Sequence, residues 1–91
     1  MSDSPAPGLK IEISAAAEKQ LAALERDAQV GVVNAIRELT GNPRPRGCRK
    51  LRDYLDVYRI RVGVFRILYS VEQARLLILV LKIGHRRDVY R

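Results

Sequence analysis

Ninety-one residues make one small domain, and a single cysteine and a single histidine (Cys48 and His85) exclude an internal disulfide and a structural zinc site. The longest apolar run, Leu76 to Leu81, is far short of the ~20 residues a membrane helix needs, and no charged stretch followed by an apolar core marks a secretory signal, so a cytoplasmic protein is expected. The net charge of +7 is uneven: residues 1–43 hold four Lys/Arg against six Asp/Glu and residues 44–91 hold thirteen against four, which implies a basic face and a polyanionic partner rather than a membrane.

Residues 1–8, with two Pro, two Ser and one Gly, are expected to form a disordered tail, and residues 9–91 the domain. Leu9-Lys10-Ile11-Glu12-Ile13 alternates apolar and polar residues, the pattern of a strand with one buried face. Ser14 is a suitable N-cap for a helix on which Ala17, Leu21, Leu24 and Ala28 recur at helical spacing. A second helix is expected from about Gln29 to Thr40, with Val32, Val33, Ile36 and Leu39 as its apolar stripe; Gly41-Asn42-Pro43 ends it. The two helices should form an antiparallel hairpin. A stiff basic loop follows, with Arg44, Arg46, Arg49, Lys50 and Arg52 held between Pro43, Pro45 and the next strand.

Tyr58 to Tyr69 is the most informative stretch. Gly63-Val64 suits a two-residue hairpin loop, because a type II′ turn needs φ > 0 at its first position. That loop sets the register: Val62 opposite Phe65, Arg61 opposite Arg66, Ile60 opposite Ile67, Tyr58 opposite Tyr69. Alternation then puts Tyr58, Ile60, Val62, Phe65, Ile67 and Tyr69 on one face and Arg59, Arg61 and Arg66 on the other. Like charges directly across a strand pair are destabilising. Three guanidiniums on one rigid face make sense if an anion sits on them, and Arg, with its planar fork of donors, suits phosphate. The plainer alternative is a solvated face whose charge resists aggregation.

Arg75 to Ile83 scarcely alternates, which suits a central strand covered on both faces or one with a partly exposed face awaiting a partner. The chain ends Gly84-His85-Arg86-Arg87-Asp88-Val89-Tyr90-Arg91. His, Arg and Tyr are a set suited to RNA cleavage without a metal or cofactor, since His exchanges a proton near neutral pH, Arg stabilises charge on phosphorus and Tyr stacks on a base; the plainer alternative is a frayed basic tail with a solvated His. The predicted order is β-α-α-β-β-β. This is an α+β domain, a small antiparallel-rich sheet with the N-terminal helical hairpin packed on one face and the first strand joining the sheet edge.

Four blocks in order, Asn42-Pro43-Arg44-Pro45 with Lys50-Leu51, Tyr58-Arg59-Ile60-Arg61-Val62-Gly63, Phe65-Arg66-Ile67-Leu68-Tyr69 and Gly84-His85-Arg86-Arg87-Asp88-Val89-Tyr90, resemble the RelE branch of the RelE/ParE toxins, over about residues 9–91. The resemblance implies a small α+β protein of the microbial RNase type. It implies the toxic half of a bacterial type II toxin–antitoxin pair, cutting mRNA in the ribosomal A site by 2′-hydroxyl attack. Its partners would be a cognate antitoxin, the ribosome with its mRNA and, as the toxin–antitoxin complex, operator DNA. It casts Arg61, Arg66, Arg86, His85 and Tyr90 as the catalytic set, with Arg59, Arg44, Arg46, Arg49 and Lys50 holding RNA. The family prototype carries Lys where Arg59 and Arg61 stand. Arg does not give up its proton, so the base is expected to be His85, with Tyr90 second. ParE-type relatives share the fold, lack RNase chemistry and block DNA gyrase, which is the competing implication.

Overall fold

A computed structural model describes residues 9–52, 54 and 56–85. The tail expected at 1–8 and two members of the expected catalytic set, Arg86 and Tyr90, lie outside the described residues. Strand β1 (Lys10–Ile13) leads into helix α1 (Ala15–Ala22) and helix α2 (Arg26–Glu38). Strands β2 (Arg49–Lys50), β3 (Val57–Val62), β4 (Phe65–Glu72) and β5 (Leu77–His85) follow, with a short 3-10 turn at Gln73–Arg75. The sheet order is β1-β5-β4-β3-β2, with β1 parallel to β5 and the other pairs antiparallel. This is the α+β architecture expected, plus one strand: β2 lies inside the stretch expected to be loop.

The helices form where expected but divide earlier. Ser14 caps α1, its Oγ accepting from the Ala17 amide at 3.0 Å. The first helix was expected to carry its stripe to Ala28; it ends at Ala22, and Glu25 is already extended (φ −63, ψ 157) as the N-cap of α2. Gln29 closes the break, its Nε2 donating to the Leu21 carbonyl at 3.0 Å and so satisfying a helix end that has no partner of its own. Val32, Ile36 and Leu39 are buried, as the stripe requires.

The hairpin register is the expected one, from Val62↔Phe65 through Arg61↔Arg66 to Tyr58↔Tyr69. Gly63 has φ +60 and Val64 is not among the positive-φ residues, the combination of a type II′ turn. The face carrying Tyr58, Ile60, Ile67 and Tyr69 joins Val71, Ile78, Val80, Ile83 and the helices in one core. Tyr58 and Tyr69 stack with ring centroids 5.8 Å apart.

One irregularity governs the end of the sheet. Leu68 pairs with Lys82 but Tyr69 with Val80, so Leu81 is an extra residue in β5. β1 stops at Ile13, opposite Val80, and beyond it α1 supplies hydrogen bonds to β5 in place of a strand. Ser14 Oγ donates to the Leu81 carbonyl at 3.0 Å, and the Ile83 amide donates to Gln20 Oε1 at 2.7 Å.

Candidate functional site

Directly opposed residues share a face, so the register lists what stands on the sheet away from the helices. One row across the strands is Arg49, Arg59, Leu68 and Lys82; the next is Arg61, Arg66 and Gly84. Five cations therefore occupy two adjacent rows. Among the described strand residues the carboxylates of this face, Glu12 and Glu72, stand farther along in the rows of Leu79 and Leu77. A patch of one sign on a rigid sheet is a fixed field for an anion.

The five are not equivalent. Arg59 is 7% exposed, the one buried charged residue among those described. It lies between Arg49 and Leu68, and so raises the local potential from below more than it meets a ligand. Arg61 is exposed and Arg66 half-buried, so these two offer guanidinium groups at the surface. Gly84, opposite Arg66, adds no side chain to the row. Lys82 was assigned no role from the sequence. Its signal was present, a lone charge closing an apolar run, but its face depends on the bulge.

The bulge also decides where His85 goes. Regular alternation from Ile78 and Val80 would put residue 85 on the arginine face. The extra Leu81 inverts the alternation, so Ile83 and His85 share the helix face, and His85 lies opposite Phe65 with ring centroids 6.3 Å apart in edge geometry. The expected convergence of His85 with Arg61 and Arg66 is therefore absent; the imidazole and the guanidinium pair stand on opposite sides of the sheet.

The basic loop divides in the same way. Arg44 is exposed but tied to the sheet: its Nε donates to Tyr58 Oη at 2.9 Å, its guanidinium carbon lies 5.2 Å from that ring's centroid, and its Nη2 reaches Gln73 at 3.5 Å. The Tyr58 hydrogen bond is the main cause of an Arg44 pKa held above its ordinary value. Tyr69 Oη donates to the Pro43 carbonyl at 2.7 Å, and burial first, then the neighbouring Cys48 thiol, pushes the Tyr69 phenol well above its usual range. Arg44 and the two tyrosines thus pin the loop to the sheet. Arg49 joins the outer face through β2, while Lys50, opposite Tyr58, stands on the other side; both are exposed, as is Arg46.

The family model for the ParE toxin of type II toxin–antitoxin systems, parDE, matches residues 11–90. Solved structures share the fold. The archaeal RelE–RelB complex from Pyrococcus horikoshii OT3 is 26% identical with a TM-score of 0.79, covering 91% of this chain and 100% of that one. The RelBE2 toxin–antitoxin complex of Mycobacterium tuberculosis is 22% identical with a TM-score of 0.77, covering 88% and 100%. The isolated E. coli RelE toxin is 23% identical with a TM-score of 0.76, covering 90% of each. No curated protein sequence matches this chain.

Proposed function

Because the chain belongs to the ParE toxin family of type II toxin–antitoxin systems, within the RelE/ParE superfamily, we propose that it is a toxin that cuts mRNA in the ribosomal A site. The 2′-oxygen attacks the adjacent phosphorus as the P–O5′ bond breaks, leaving a 2′,3′-cyclic phosphate and a 5′-hydroxyl that takes up a proton. Arg61 and Arg66 hold the phosphate and the charge that grows on it, with Arg59, Arg49 and Lys82 deepening the field. Arg86 steadies the leaving oxygen and Tyr90 orients the nucleotide. The proton is exchanged by a group other than the outer-face arginines, with Tyr90 now ahead of His85 because the register turns His85 to the helix side.

One observation carries the proposal: Arg61 stands directly opposite Arg66 on the face that the helices leave uncovered. Primer extension on an mRNA in a reconstituted translation reaction tests it. Wild-type protein should give discrete cuts within A-site codons and Arg66→Ala none, with its circular dichroism unchanged. Cutting by Arg66→Ala at the wild-type rate would remove the proposed role.

The matched family model is that of the ParE toxin, and the resemblance to ParE-type relatives gives the second reading, a non-enzymatic inhibitor of DNA gyrase. It predicts loss of supercoiling activity in a purified gyrase assay and an intact mRNA. In either case the partner is a small antitoxin presenting an apolar helix or strand and acidic residues, in keeping with the RelB-bound neighbours, and the pair together would bind operator DNA.

A further inference from the structure

A concavity lies at the edge of the sheet, between the end of α2, the basic loop and β3, with a volume of about 830 Å³. Its origin is the shortness of β2. Two residues of β2 pair with Arg59 and Tyr58, and the preceding chain turns away at Gly47, whose φ of +91 lies in the left-handed region. Among the described residues no strand pairs with this edge of β3 past Ile60, and the C-terminal end of α2 forms the opposite wall. Ala35, Leu39 and Ile60 give an apolar floor. The rim is cationic, with Arg46, Lys50 and Arg61 joined by Arg49 and Arg59, and Glu38 is the single carboxylate of the lining. The volume falls within the ~300–1,000 Å³ of clefts that hold small organic ligands.

We infer that this cleft is a binding subsite for one nucleotide of single-stranded RNA, next to the nucleotide whose phosphate rests on Arg61 and Arg66. It rests on the proposed function in that it extends the same RNA strand. Arg61 is the link, because it lines the cleft and also stands opposite Arg66. A strand crossing the outer face can therefore pass round the sheet edge without leaving positive charge. Within the cleft a phosphate meets the cationic rim and a base meets apolar surface and the planes of Arg46 and Arg49, the combination that single-stranded nucleic acid requires. An acidic peptide would use the rim but has less use for the floor.

The test uses the sole cysteine, half-buried Cys48, which lines the cleft. The alkylation rate of Cys48 by N-ethylmaleimide is measured at low salt with and without a single-stranded oligoribonucleotide whose binding is followed by fluorescence anisotropy. A saturating oligonucleotide should slow alkylation about fivefold or more. In parallel, Glu38→Gln should tighten oligonucleotide binding about threefold while Glu18→Gln, an equal charge change on exposed α1, should not.

Binding with unchanged alkylation, or equal effects of the two Glu variants, would overturn the subsite and leave cleavage on the outer face standing. Protection by a poly-glutamate peptide but not by RNA would overturn it in favour of a protein ligand. Absence of RNA binding at low salt, or a Cys48 that does not alkylate in the free protein, would overturn it as well. Protection without any cleavage on ribosomes would support the cleft and sink the nuclease proposal instead.

Discussion

Replacing Arg61 by Thr should stabilise the fold and weaken RNA binding at once. Arg61 is exposed and stands directly across from Arg66, with Arg59 two residues away on the same face. Cross-strand pairs contribute roughly 0.2–1 kcal/mol, with the sign reversed for like charges. Exposure and screening argue for about 0.5 kcal/mol here rather than the upper value. Thr also fits a pleated surface. For a domain of this size that gain raises Tm by about 2–4 °C. It should appear in thermal melts followed by circular dichroism at ~10 mM salt, where the screening length is ~30 Å, and vanish at ~1 M, where it is ~3 Å. Adding Arg66→Thr should give little further gain, because the repulsion is already removed. The same Arg61→Thr variant should lower the salt slope of oligoribonucleotide binding by about 0.7, one phosphate contact on a single strand. A lower Tm at low salt, or a gain that persists at 1 M, would refute the reasoning: the pair would then contribute to the fold.

Gln20→Ala should cost about 1–3 kcal/mol in urea melts, because the Ile83 amide would be left buried without its acceptor, and exchange at that amide should accelerate. Ser14→Ala removes both the cap to Ala17 and the donor to the Leu81 carbonyl, for about 1–2 kcal/mol; Ser14→Asp, which restores only the cap, should recover part of it. The buried Tyr69 phenol titrates above its unfolded value of 10.0, so its neutral form is favoured by folding. Its contribution is complete below about pH 10 and falls as pH rises beyond that, with a limiting slope of about 1.4 kcal/mol per pH unit. Tyr69→Phe should therefore be less stable at neutral pH by the lost bond to Pro43, about 1 kcal/mol, yet flatter above pH 10.

Legibility followed how local each determinant was. The hairpin could be read because a two-residue turn with Gly63 fixes pairing for twelve residues through period-two alternation alone. The helix break at 23–25 could not: it contains no Gly or Pro, Leu24 continues the apolar stripe, and what closes it is Gln29, one turn into the next helix. β2 is two residues long, too short to alternate, and exists because Arg49 and Lys50 meet the edge of β3. The bulge was hidden by the composition of its strand, since a run of Leu and Ile reads the same in either phase. That single residue moved His85 off the arginine face and put Lys82 onto it, so the site's cations were legible from the hairpin and its neighbours from β5 were not.

The distribution of charge now has a structural cause. Within the described residues the acidic half of the sequence is β1 and the helix pair, with the start of the loop, and both helices lie on one side of the sheet; the basic half is the rest of the loop and the strands β2 to β5. Chain order thereby becomes a polarity between layers. The helix side supplies the burial, with Ile67, Tyr69 and Ile83 at 0–1% exposure, and this leaves the outer face free to carry mutually repelling guanidiniums whose cost is a fraction of that burial. The helix pair is close to neutral, with three Lys/Arg against four Asp/Glu, so a polyanion meets the strongest positive field on the sheet face and at the β3 edge. The cleft at the β3 edge lies where the two layers meet, and there Glu38 of α2 is the only carboxylate among its lining residues.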